Sequence, residues 1–289
     1  MSLRKSLSEN KILILDGAMG TELARRGLEA GGNLNLTAAD HILDFHREYV
    51  ELGVDCITTN TFTMNRIYIE SHKIKIDLRK VNEAGVKLAR EAAGSSKYVL
   101  GDLGPTGRLL KPYGDYREEE FIENYRETAA ILVGAGVDGL IIETMTDLRE
   151  ALCALKGCRM ETDLPVIVTL SFATTEKGGR TIMGSAVAEI AESLEKNGAD
   201  VLGANCGELT PLEMAEIISL FKSHTTLPLI AQPNAGRPKL KDGRTCYDMT
   251  ADDFADGIMK CIDNGAGIVG GCCGTTIDHM RAVVDRLRP

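Results

Sequence analysis

The stretch REEEFIENYRETAAILVGAGVDGLIIET, residues 117–144, decides the fold. Its first part carries Phe121, Ile122, Tyr125, Ala129 and Leu132 at three- and four-residue steps, the spacing of one buried helical face. The GAG that follows offers a glycine C-cap, and VDGLIIET is then a short, almost unbroken apolar run. Working outward, the same unit recurs along the chain. The runs are KILILD (11–16), VDCITTN (54–60), YVLGDLG (98–104), VDGLIIET (137–144), PVIVTLSF (165–172), DVLGANC (200–206), PLIAQPN (228–234) and AGIVGGC (266–272). Near-continuous apolar runs are expected of parallel strands covered on both faces. The stretches before several of them end in glycine tags, ELGVD, GAGVD, KNGAD and DNGAG, which would turn a helix into the next strand.

Eight such units predict an α/β chain folded as a single (β/α)8 TIM barrel spanning residues 1–289. A doubly wound open sheet is the rival, and the count of eight favours the barrel. Length divided by ~150 residues per domain would suggest two domains, but barrels of ~250 residues fold as one unit. Residues 1–9 read as an N-terminal extension, with Met1-Ser2-Leu3 set aside as a cloning remnant.

Hydrophobic residues at 44% and charged residues at 26% allow a sizeable core. The net charge of −9 argues against nucleic acid or an anionic membrane surface as a partner. No apolar run approaches membrane-spanning length, and MSLRKSLSENK has no signal-peptide core. Eight cysteines are an even number, yet small disulfide scaffolds are much shorter and denser in cysteine. A reducing, cytoplasmic setting is the expectation.

In either α/β architecture the active site lies at the C-terminal ends of the strands. The first run ends in Asp16-Gly17-Ala18-Met19-Gly20-Thr21-Glu22, where glycines let backbone N–H groups approach a carboxylate, or simply form a tight turn. The fourth ends in Glu143-Thr144; a carboxylate there either meets a cation or amine, or is a solvated cap. The seventh ends in Pro233-Asn234-Ala235-Gly236, where Asn234 either donates to a ligand or forms an Asx turn. The sharpest signal joins Cys206, in GANCG, with Cys272 and Cys273, in GGCCG. Adjacent strand residues point to opposite faces, so two neighbouring cysteines serve one ion only where the strand breaks, and the flanking glycines permit that. Three sulfurs plus one open position suit a catalytic zinc; buried thiols or a redox pair are the alternatives. Cys56, Cys153, Cys158, Cys246 and Cys261 read as bystanders, and none of the five histidines falls in a strand-end motif.

With DGAMGTEL, TNTF, GDLGPTG, the ET of the fourth run, GANC, PNAG and GGCCGT in order, the chain resembles the homocysteine S-methyltransferase family over about residues 10–287. The resemblance implies a TIM barrel with Cys206, Cys272 and Cys273 as zinc ligands. It implies that Asp16, Gly17, Ala18, Thr21 and Glu143, with Asn234 a less certain neighbour, hold the polar end of homocysteine. It further implies methyl transfer to the homocysteine thiol, giving methionine, with a zinc-bound thiolate as nucleophile and no general base. The methionine synthase branch is nearest in length and phrasing, so the expected donor is a methyl-corrinoid on a separate module or protein, with a corrinoid-protein or folate-module partner. The chain stops at Pro289 with no such module after it, so it is either free-standing or an excised domain. Betaine is disfavoured as donor: there is no tryptophan, and Thr144-Met145 stands where the betaine branch carries an aromatic. An S-methylmethionine-dependent enzyme, a non-catalytic thiol- or zinc-binding subunit of a corrinoid system, and a redox barrel using Cys272-Cys273 stay open. A Schiff-base aldolase is set aside because no run ends in lysine.

Overall fold

The computed structural model describes residues 2–9, 11–241 and 244–288. All eight apolar runs form strands: β1 (Leu13–Ile14), β2 (Cys56–Thr58), β3 (Tyr98–Leu103), β4 (Gly139–Met145), β5 (Val166–Leu170), β6 (Val201–Asn205), β7 (Leu229–Gln232) and β8 (Ala266–Val269). Neighbours are parallel throughout, in the order β1-β8-β7-β6-β5-β4-β3-β2. The ends meet where Leu15 bridges Cys56 in parallel, the Asp16 N–H donates to the Cys56 carbonyl at 3.1 Å, and the Asp55 N–H donates to the Ile14 carbonyl at 2.7 Å. Eight parallel strands thus form the expected (β/α)8 barrel.

The runs look continuous in sequence because alternate residues enter two different cores. One core fills the barrel and takes a residue from every strand, including Leu13, Cys56, Leu100, Ile141, Ile167, Val201, Ile230 and Ile268. The other lies between strands and helices and takes their neighbours, such as Ile14, Ile57, Val99, Ile142, Val168, Leu202, Ala231 and Val269. The tag glycines Gly53, Gly136, Gly198 and Gly265 all take positive φ (+100°, +96°, +90° and +113°), which turns each helix end toward the next strand.

Two features depart from the sequence reading. Leu3, set aside as part of a remnant, begins a helix (Leu3–Leu7) and is 2% exposed inside the barrel core. Its side chain packs against Gly139, where a Cβ would come within 2.8 Å of Leu3. All strands but β4 also end earlier at the mouth than the runs suggest. β5 stops at Leu170, and Phe172–Thr174 starts an antiparallel hairpin with Arg180–Thr181; a second hairpin pairs Lys239–Lys241 with Arg244–Cys246 after β7. The motifs at Asp16, Cys206, Asn234 and Cys272-Cys273 therefore lie just past the ladder, while Glu143-Thr144 sits in an irregularity of β4 between Ile142 and Met145.

Candidate metal and amino-acid site

A cavity of about 340 Å³ opens at the C-terminal mouth of the barrel. Asp16, Gly17, Ala18, Thr21, Glu143, Cys206, Cys272 and Cys273 all line it. Asn234 does not; it lies behind the cavity wall, where its Nδ2 donates to the Gly207 carbonyl at 2.8 Å. Asn234 thus braces the Cys206-Gly207 turn, and its Oδ1 is buried without a partner.

The three cysteines converge because the backbone leaves strand geometry at each of them. Cys206 (φ +53°) and Gly207 (φ +75°) are consecutive left-handed residues, and the Cys206 N–H is held by the Gln232 carbonyl at 3.1 Å. Cys272 and Cys273 sit in a turn closed by the Thr275 N–H on the Cys272 carbonyl at 3.1 Å. The segment after β7 clamps this turn from the side: the Cys272 N–H donates to the Pro233 carbonyl at 2.8 Å, and the Ala235 N–H to the Cys273 carbonyl at 3.0 Å. All three sulfurs lie within 4.8 Å of one another, with Cys206 Sγ 3.8 Å from Cys273 Sγ, and all are free thiols. The hydrogen bond from Cys206, with another from Cys272 and one from Tyr247, holds the Cys273 thiol well below its usual range. Three converging sulfurs, one of them already favoured as thiolate, are a donor set that fits a borderline-soft ion such as zinc.

Three carboxyls line the same cavity, Asp16 and Asp102 buried and Glu143 half-buried. Asp16 accepts from the Thr58 N–H at 2.9 Å and hydroxyl at 3.2 Å, yet burial pushes it up to about 8, with the nearby Glu143 adding to the rise. Burial also raises Glu143 to about 7 against the hydrogen bond that Gln232 Nε2 donates at 3.4 Å. Burial also holds Asp102 well above the usual carboxylate range, with Glu143 and Asp16 adding to the rise, and its Oδ1 has no partner. No lysine, arginine or histidine is among the described residues that line the cavity. Such a pocket is built to receive a cation. Across it runs the strand-1 turn, where Gly17 is required: a Cβ there would stand 2.6 Å from the Tyr49 hydroxyl and 3.0 Å from Thr275 Oγ1. The Ala18 N–H is taken by Thr275 Oγ1 at 3.0 Å. The free first-turn N–H groups of helix Met19–Arg25 remain as donors for an anion. Thr21 Oγ1 accepts from the Gly274 N–H at 3.1 Å and so ties this turn to the cysteine turn.

Sequence reasoning missed Asp102, Gln232, Asn205 and Tyr247. Asp102 carried the signal that found Glu143, a carboxylate at the end of an apolar run. Tyr247 lies in a loop without periodicity, and its ring covers Gly274, where a Cβ would meet it at 2.2 Å.

The fold and site together define a (β/α)8 barrel with three convergent thiols in an acid-lined cavity at its mouth. A profile of the family described as homocysteine S-methyltransferase matches residues 13–287, and the chain belongs to that family. Methionine synthase of Mycobacterium leprae (strain TN) is 33% identical over 294 residues, covering 94% of this chain and 24% of the relative. Methionine synthase of Mycobacterium tuberculosis (strain ATCC 25618 / H37Rv) is likewise 33% identical over 291 residues, with the same 94% and 24% coverage. The chain thus spans about a quarter of the length of these curated relatives. Among solved structures, the metallated form of the homocysteine methyltransferase MmuM from Escherichia coli superposes with a TM-score of 0.81 at 23% identity, covering 98% of this chain and 99% of that one.

Proposed function

We propose that this chain methylates the thiol of L-homocysteine, giving methionine, on a zinc site made by Cys206, Cys272 and Cys273. The observation that carries the reading is the meeting, in one cavity, of three convergent thiols with three carboxyls and, among the described residues, no basic side chain. Zinc held by the three sulfurs would supply an open position at which a substrate thiol binds as its thiolate, the nucleophilic form. Glu143 and Asp102 would accept the substrate ammonium, and the first turn of Met19–Arg25 its carboxylate. Asp16 would hold the Thr58 segment against the strand-1 turn. The substrate sulfur attacks the donor's methyl carbon in line. A sulfur–carbon bond forms as the carbon–donor bond breaks, and its electron pair leaves with the donor. No general base is required among the side chains.

The donor we favour is a methyl-corrinoid carried by a separate module or protein, because the methionine synthase relatives are about four times the length of this chain. Eight free thiols, with no helix among the described residues long and apolar enough to cross a membrane, support a cytoplasmic setting. The test is zinc-loaded protein incubated with homocysteine and a donor panel of methylcobalamin, a methyl-corrinoid protein, S-methylmethionine and betaine. Methionine from the corrinoid donors is expected. Methionine from S-methylmethionine alone would replace that donor, and none from any donor would favour a non-catalytic thiol-binding subunit.

A further inference from the structure

Asn205, the last residue of β6, is wholly buried and reaches both halves of the site. Its amide orientation is settled by its neighbours. The Thr144 backbone N–H, which can only donate, lies 2.8 Å from Asn205 Oδ1, and the Thr169 hydroxyl donates to the same oxygen at 2.8 Å. Nδ2 therefore points the other way. There it donates to Thr144 Oγ1 at 2.7 Å and reaches Cys272 Sγ at 3.9 Å. Thr144 has φ +62°, a conformation that a β-branched residue adopts only when its surroundings impose it. Two hydrogen bonds from one side chain impose it here. Thr144 directly follows Glu143 in the irregular stretch of β4 between Ile142 and Met145, so the same amide that holds this bulge also sets where the Glu143 carboxylate aims. The backbone carbonyl of Asn205 is itself fixed by the Ser171 hydroxyl at 2.9 Å, which leaves the side chain little freedom.

We propose that Asn205 is a positioning residue linking the two ends of the substrate site: its Oδ1 holds the Glu143-Thr144 bulge of β4 that faces the ammonium, and its Nδ2 donates to Cys272 and tunes that sulfur toward the metal. The inference rests on the zinc reading above. A hydrogen bond to a ligand sulfur draws electron density from it and fixes its lone pairs; partners of this kind are worth about 10–100-fold in metal affinity or activity.

The test uses the full chain loaded with cobalt(II), whose sulfur-to-metal charge-transfer absorption reports on the thiolates. Variants are Asn205→Ala, Asn205→Asp, Thr144→Gly and the double variant Asn205→Ala/Thr144→Gly. Asn205→Ala is expected to bind cobalt(II) about 10–100-fold more weakly. Its charge-transfer band should move to longer wavelength, because the freed sulfur gives up its electron more readily. Its KM for homocysteine should rise. Asn205→Asp keeps the volume and the acceptor toward Thr144 but loses the donor toward Cys272. It should show the same band shift, and carries the test if the alanine variant does not fold. Thr144→Gly needs no imposed φ and leaves the band in place. In the double variant KM returns toward the wild-type value while the band stays shifted. A purely structural asparagine would move stability and KM but not the band. An unshifted band in folded Asn205 variants therefore overturns the inference and leaves the zinc reading intact. A wild-type chain with no thiolate-to-cobalt band overturns the zinc reading itself.

Discussion

Asp16 shows at the scale of one residue how function is placed against stability. Its carboxyl is buried and pushed up to about 8, chiefly by that burial, whereas an unfolded chain would titrate it near its ordinary value of 3.8. The folded state therefore holds its proton more tightly than the unfolded state. The contribution of Asp16 is fully favourable below pH 3.8 and is lost as pH rises toward about 8. Asp16→Asn removes this loss and keeps an acceptor for Thr58. It should raise stability at pH 8 by about 2 kcal/mol, after allowance for imperfect hydrogen bonding, measured by denaturant unfolding. Its methyl-transfer rate should fall. Glu143→Gln tests the cation reading directly: losing a charge-assisted hydrogen bond of about 1.5–3 kcal/mol should raise KM for homocysteine by about 10–100-fold, with the larger part of the effect in KM rather than kcat. Steady-state kinetics would separate the two, and an unchanged KM would remove Glu143 from the ammonium site. What was readable at this scale was chemistry that stands out in its context: Asp16, Glu143 and the three cysteines are polar or reactive groups at the ends of apolar runs. Asn205 and Gln232 were not readable, because their roles come from contacts between strands distant in sequence.

At the scale of the element, the strands announce themselves, since burial on both faces leaves an unbroken apolar signature. The hairpins at 172–181 and 239–246 do not: their strands are two or three residues long and mostly polar, and only the Asp242-Gly243 dipeptide hints at one. Helices read well by their spacing, but spacing does not reveal a buried polar group within them. Helix Ala39–Leu52 carries His46 on its inner face, with neither ring nitrogen bonded and an edge-on contact to Phe45. Burial lowers its pKa from 6.5 to about 3. The unfolded chain then binds a proton below pH 6.5 that the folded chain refuses until about pH 3, so this residue's contribution is present above pH 6.5 and lost as pH falls. At pH 4 the loss amounts to about 3 kcal/mol at most. His46→Leu should flatten the decline of Tm between pH 6.5 and pH 4 relative to the unmodified chain, as followed by circular dichroism. Parallel declines in the two proteins would mean that His46 is not the group responsible.

At the scale of the whole molecule, the barrel separates its chemistry from its closure. The cysteines, carboxyls and strand-1 turn gather at the C-terminal mouth, while the opposite end is closed by a helix that comes before the first strand. Sequence reading assigned that segment no role, since five helical residues carry too little periodicity to stand out. Its importance is visible only once Leu3 is seen inside the barrel core. The helix is also fastened from outside. The Ser6 hydroxyl meets the Tyr98 hydroxyl at 2.8 Å, and Arg4 pairs with Asp200 at 2.8 Å, although that exposed pair adds little. Leu3→Ala should therefore cost about 2–5 kcal/mol, the range for deleting a buried leucine side chain. Removing residues 1–7 should cost at least as much, because Leu13, Leu100 and Ile141 would then face water. Nothing in this helix touches the mouth of the barrel. Below the lowered Tm, the truncated chain should still bind zinc and homocysteine with near-unchanged affinity. Thermal unfolding paired with zinc titration at low temperature checks both halves. A large loss of zinc affinity in a truncated chain that is still folded would show that the two ends of the barrel are not independent. Unchanged unfolding would show that Leu3 does not close the core.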